Sequence, residues 1–189
     1  MASEEHIRAF LALPLASCFG EEVKPLLEHL KRKFPQVRWV SPQGIHVTLH
    51  FFGAITRREI DRISEIIQKK TQGREAVEVH LEGLGGFPTL LRPRVIWIGL
   101  KGEIAKLQPL QEELEGGFKN AGYPCEERVF KPHVTLGRVK DKAVSPNIDP
   151  RCFSRTATKK ITELVLYQSN LTSQSPRYEA LKTYPLAAS

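Results

Sequence analysis

The chain is poor in the residues that staple or anchor a small protein. Its 189 residues include three cysteines, one methionine and two tryptophans. Cys18, Cys125 and Cys152 are odd in number and scattered, with no C-x-x-C spacing. That argues against a disulfide framework and against a zinc site. Cys18, followed by Phe19 and Gly20, is expected to be a small buried or half-buried residue with no catalytic role. No apolar run approaches the length of a bilayer span. The opening "MASEEHIRAFLALPLAS" carries two glutamates where a leader would carry basic residues, so its short apolar stretch reads as a strand. No membrane association and a cytoplasmic location are the expectation. No G-x-S-x-G, P-loop or G-x-G-x-x-G stretch occurs, which leaves hydrolase triads and nucleotide-binding folds without support.

The composition itself is ordinary for a globular protein, with 41% hydrophobic and 26% charged residues. The length fits one compact unit, residues 1–189; a monomer with no obligatory protein partner is the expectation, though length does not decide it. The formal net charge of +7 points to an anionic partner, nucleic acid or phosphate. The densest basic stretches, "KRKFPQVR" at 31–38 and "RCFSRTATKK" at 151–160, read as solvated surface that could still position an RNA end.

Periodicity sets out the elements. "HIRAFLALPL" (6–15) reads as a buried strand ended by Pro14. "EEVKPLLEHLKRKF" places Val23, Leu26, Leu27, Leu30 and Phe34 at helical spacing, with basic residues at the end the dipole favours. "VRWVS" reads as a short strand and "IHVTLHFF" as an alternating one. Thr56 and Glu59 form a capping box for a second helix that stops at Gly73. "AVEVHLEGL" and "RVIWIGL" read as an antiparallel pair. A third helix spans about Glu103 to Asn120, with Gly122 as its stop. "PHVTLGRV" is a strand and "DKAVSPNIDPRCF" a long connection. "KKITELVLYQSNL" and "RYEALKTYPL" close the chain as two strands around a turn at "TSQSP". Hairpins mixed with helices give an α+β class with antiparallel sheets.

One tetrapeptide is written twice. His-Val-Thr-Leu occurs at 46–49 and again at 133–136. The chance that any two of the six histidines share their next three residues is roughly 0.003, so the repeat carries meaning. In a strand, alternation sets Val47, Leu49 and Phe51 on one face and His46, Thr48 and His50 on the other. Val134 and Leu136 likewise oppose His133 and Thr135. Two such strands across a groove would bring two imidazoles and two hydroxyls together. One imidazole can take a proton from water and the other give one to a leaving oxygen, while the hydroxyls donate to phosphate oxygens. His50, four residues after His46, lacks the helix and the glutamate of a zinc pair and reads as a groove-edge or surface residue. His80, between Glu78 and Glu82 on a polar strand face, reads as solvent-exposed. His6 and His29 have no nameable partner.

These motifs resemble the two-histidine (2H) phosphoesterase superfamily, whose signature is a pair of His-x-Thr-x motifs. The flanks "RAFLALPL", "HVTLHFFG", "RVIWIGL", "FKPHVTLGR" and "LYQSNLTSQSPRYEALKTYPL" are similar to the RNA 2′,3′-cyclic phosphodiesterases, also called 2′-5′ RNA ligases. The resemblance implies a bilobal α+β fold with two pseudo-symmetric lobes and a central cleft. It implies hydrolysis of a terminal 2′,3′-cyclic phosphate on RNA to a 2′-phosphate, with no metal and no cofactor. By family pattern His46 is the proton donor, His133 the proton acceptor, and Thr48 and Thr135 hold the phosphate. Phe51 and Arg138, each five residues after its histidine, correspond to a family aromatic and a family arginine near base and phosphate. An odd offset puts both on the wrong face of a regular strand, so a bulge or strand end must turn Arg138 inward. Two other functions share these residues: reversible 2′-5′ ligation of tRNA halves, and RNA or nucleotide binding without catalysis. Binding alone does not need two proton-transfer groups.

Overall fold

The computed structural model of the chain describes residues 5–126, 128–140, 146–170 and 176–187. The elements are β1 (His6–Pro14), α1 (Ala16–Lys33), β2 (Val37–Trp39), β3 (His46–Thr56), α2 (Arg57–Thr71), β4 (Val77–Phe87), β5 (Val95–Gly102), α3 (Ile104–Asn120), β6 (His133–Val139), β7 (Lys159–Ile161), β8 (Glu163–Asn170) and β9 (Arg177–Pro185). They form two sheets, ordered β3-β1-β8-β9 and β2-β6-β5-β4-β7. Every pairing between these strands is antiparallel. The class is α+β, as the mixture of hairpins and helices requires.

The chain interlaces the two sheets. β2 comes early in the sequence yet pairs with β6. β7 pairs with β4, and β8 returns to β1. The sequence "KKITELVLYQSNL", read as one strand, is therefore two strands broken at Thr162 and belonging to different sheets. The closing turn at "TSQSP" lies outside the described residues except Pro176.

Each helix buries its apolar stripe. α1 covers the core with Phe19, Val23, Leu26, Leu27 and Leu30. It begins at Ala16, earlier than the periodicity of 21–34 indicates, and continues through Pro25. Burial of that stripe outweighs the backbone hydrogen bond that a proline cannot donate. α2 starts in the expected capping box: the Thr56 hydroxyl accepts from the Glu59 N–H, and the Glu59 carboxylate accepts from the Thr56 N–H. It ends just before Gly73, whose φ of +73° no side-chain-bearing residue adopts comfortably. α3 packs Leu107, Leu110, Leu114 and Phe118 inward, and Gly122 follows its C-cap with φ +89°. Among the described residues, no helix is long and apolar enough to cross a membrane.

Candidate active site

Both His-Val-Thr-Leu copies start strands: His46 opens β3 and His133 opens β6. Their regular alternation ends within a few residues. In β3, His50 pairs with Leu11 and Thr48 with Ala12, which leaves Leu49 as an extra residue. Phe51 pairs with Phe10 and Gly53 with Ala9, which leaves Phe52 as a second. In β6, Thr135 pairs with Trp97 and Gly137 with Ile96, so Leu136 is the extra one. Each bulge shifts the facing of everything beyond it. Phe51, 48% exposed, thus comes to the face of Thr48. Arg138 comes to the face of Thr135, by the device the odd offset demanded.

The same bulge corrects the reading of His50. Strict alternation kept it beside Thr48. With Leu49 inserted, His50 turns into the core and is 4% exposed. Its ring packs at a tilt against Phe52 and Phe118 and meets the Glu115 carboxylate at 2.7 Å through Nδ1. His80 is a second correction, being 9% exposed. The stretch at Arg155–Thr156 covers it: Thr156 exchanges hydrogen bonds with Leu81, and Arg155 donates to His80 Nδ1 at 3.5 Å. That leaves Nε2–H to donate to Glu82 at 3.1 Å. Alternation describes the strand correctly but says nothing of a distant segment lying over it.

The two motif histidines are held alike. Nδ1 of His46 bonds the Gly44 carbonyl at 2.8 Å, and Nδ1 of His133 bonds the Lys131 carbonyl at 2.6 Å, each two residues back. A carbonyl only accepts, so Nδ1 carries the proton in both. Nε2 of each ring is left with a lone pair when neutral and a donor when protonated. Aromatic rings fix both imidazoles. Phe10 and Tyr178 flank His46 at 4.9 and 5.1 Å, while Phe87 and Trp97 flank His133 at 5.0 and 6.1 Å. Trp97 lies so close over Gly85 that any Cβ there would meet its ring at 2.2 Å.

A cleft of about 1070 Å³ opens beside these groups. Thr48, Phe51, His133, Thr135 and Arg138 line it, and His46 packs against Phe10 and Tyr178. Burial depresses the His46 pKa below the ordinary imidazole value against the opposing pull of the Gly44 carbonyl, and the charges of Arg138 and His133 depress it further. Burial also depresses His133, opposed by the Lys131 carbonyl and assisted by Arg138. Arg138 therefore acts on both imidazoles. Neither histidine belongs to a group of three metal-binding side chains among the described residues.

Sequence reasoning missed several neighbours. Arg38 on β2 stands directly opposite Arg138 on β6. Both guanidinium charges also reach the Tyr178 hydroxyl, whose pKa burial raises and they lower. Arg38 sits in one of the basic stretches, but only the cross-sheet return of β2 sets it beside the second motif. Phe10, Tyr178, Phe87 and Trp97 carry no periodic signal that pairs them with a histidine.

The chain is similar to known proteins in sequence and in fold. The family model described as the 2′-5′ RNA ligase superfamily matches residues 19–172. An RNA 2′,3′-cyclic phosphodiesterase of Methanothermobacter thermautotrophicus is 31% identical over 95% of this chain and 99% of that protein. One from Archaeoglobus fulgidus is 32% identical over 94% and 99%, and one from Escherichia coli 28% over 95% and 96%. Among solved structures, a crystal structure of a phosphoesterase superposes with a TM-score of 0.78 at 27% identity, covering 96% of this chain and 99% of that one. Escherichia coli LigT complexed with 3′-AMP superposes with a TM-score of 0.76 at 25% identity, covering 96% and 99%.

Proposed function

The chain belongs to the 2′-5′ RNA ligase superfamily, among its RNA 2′,3′-cyclic phosphodiesterases, and from that premise we propose that it opens a terminal 2′,3′-cyclic phosphate of RNA to a 2′-phosphate. The observation that carries the reading is the matched tethering of His46 and His133. Each has its Nδ1–H spent on a carbonyl and its Nε2 available for proton transfer.

The step runs in line. Water attacks phosphorus opposite O3′, and His133 Nε2 takes its proton as the new P–O bond forms. The P–O3′ bond breaks, and His46 Nε2–H delivers its proton to O3′. The products are a 2′-phosphomonoester and a 3′-hydroxyl, and the histidines regain their starting states by exchange with solvent. Thr48 and Thr135 donate to the non-bridging oxygens. Arg138 meets the charge that grows as a monoanionic diester passes to a dianionic transition state. Both free imidazoles favour the neutral form, so the acid depends on the bound phosphate to hold its proton, which an adjacent anion does. No metal enters this scheme.

The test is an oligoribonucleotide ending in a 2′,3′-cyclic phosphate. Its product should resist a 3′-specific phosphatase and yield to a non-specific one, in the presence of excess chelator. A 3′-phosphate product, or an intact cyclic end, overturns the reading. Accumulation of a 2′-5′ joined product from two strands under the same conditions would favour ligation instead.

A further inference from the structure

Three side chains that the reaction does not use converge beside the cleft. His50 is placed by the β3 bulge, Glu115 lies on α3, and Cys125 follows that helix. Their nitrogen, oxygen and sulfur donor atoms all lie within 4.8 Å of one another. All three residues belong to the cleft wall. The His50 side chain is 2% exposed and that of Glu115 17%. One contact, Nδ1 to Oε1 at 2.7 Å, joins the pair. Each of the two keeps a further buried polar atom, His50 Nε2 and Glu115 Oε2, with no hydrogen-bond partner. A buried histidine beside a half-buried carboxylate whose second oxygen has no partner marks a place able to take more than the pair itself.

We infer that His50, Glu115 and Cys125 form a site for one zinc-like divalent cation, separate from the reaction centre. The donor set selects the ion. Imidazole, carboxylate and thiolate together suit zinc, whereas magnesium and calcium want oxygens alone. Ligands held about 2.0–2.3 Å from zinc stand between three and four ångströms apart, so small side-chain movements convert the observed cluster into a coordination shell. The charges also balance: a carboxylate and a thiolate neutralise the ion, and the imidazole stays neutral. On binding, the Cys125 thiol loses its proton to solvent. That thiol now donates to the carbonyls of Glu115 and Tyr123. The His50 proton passes from Nδ1 to Nε2 as Nδ1 takes the metal. The cleft offers an entry path and room for a water as the fourth ligand.

The site would fasten three segments. β3 carries His46 and Thr48, α3 carries Glu115, and the stretch after α3 leads to His133. An ion there stabilises the fold by mass action without touching phosphorus. Chelation should lower the melting temperature and spare kcat.

The experiment titrates metal-free, full-length protein with cobalt(II) and zinc(II). It uses a His46→Ala, His133→Ala background so that the active-site imidazoles cannot compete. One equivalent should bind per chain, and cobalt should show a thiolate-to-metal charge-transfer band. Cys125→Ser, a near-isosteric change, should abolish that band and weaken zinc at least tenfold, while Cys152→Ser changes neither. His50→Ala should do as Cys125→Ser does. Magnesium should bind neither form. Absence of a charge-transfer band, or zinc binding equally tight in Cys125→Ser, overturns the site.

Discussion

At the scale of single residues, the two motif histidines tie the stability of the site to pH. Both pKa values lie below the ordinary imidazole value, burial being the first cause in each. The unfolded chain therefore takes up protons first as the pH falls. The contribution of these two groups to stability is complete above about pH 6.5, the unperturbed imidazole value, and is lost as the pH drops toward the lower folded values. Saturating phosphate should oppose that loss, because a bound anion restores proton affinity to both rings. The measurement is thermal melting between pH 7.5 and 5, with and without phosphate, for the wild type and the His46→Ala, His133→Ala double variant. The wild type should lose more stability on acidification than the variant, and phosphate should narrow the gap. Identical acid profiles would mean that these imidazoles do not titrate as the geometry demands. In turnover, each single alanine variant should remove most of the rate, and the double should cost far less than the product of the two. A substrate with a good leaving group should partly rescue His46→Ala and leave His133→Ala inactive.

At the scale of elements, the bulges in β3 and β6 and the close packing of Trp97 separate what builds the fold from what builds the site. Gly85→Ala places a methyl where the Trp97 ring now lies, at 2.2 Å. The ring must swing away, and it is one of two that flank His133. We expect about 1–3 kcal/mol of destabilisation together with a fall in kcat beyond what the unfolded fraction explains. Thr56→Ala is the control. It removes the capping box of α2 at about 1 kcal/mol and should leave kcat unchanged, since α2 supplies nothing to the cleft wall. Equal activity losses in the two variants would refute the link from Trp97 to His133. The contrast also marks what a sequence can tell. The capping box of α2, the pairing of β4 with β5 and both motif strands were legible because each depends on neighbours in the chain. The odd offset of Arg138 even called for a bulge. The burial of His50 and His80 was not legible. The first needs the position of an inserted residue, and the second needs a segment some 75 positions away. The opposition of Arg38 and Arg138 was hidden for a similar reason, since β2 crosses to the other sheet.

At the scale of the whole molecule, the +7 charge and the size of the cleft bear on one question: how much of an RNA chain is held. The cleft, at about 1070 Å³, is at the upper end of what one small ligand fills. Its wall carries Arg94, Arg128 and Lys131 in addition to His133 and Arg138. All three are exposed, so their value for binding is long-range and screened by salt. A mononucleotide cyclic phosphate would engage only the reaction centre. A longer strand would lay further phosphates along the basic wall and release counterions from each, with a slope of about −0.7 per phosphate neutralised on a single strand. The affinity of an oligonucleotide should then fall with salt more steeply than that of a mononucleotide. Arg128→Ala and Lys131→Ala should each flatten the oligonucleotide slope by about 0.7 and leave the mononucleotide slope and kcat as they were. Because a lost phosphate contact weakens all sequences alike, the two variants should not alter base preference. Equal salt slopes for the two substrates in the wild type would show that the basic excess serves something other than the RNA strand, and that the reaction centre alone holds the substrate.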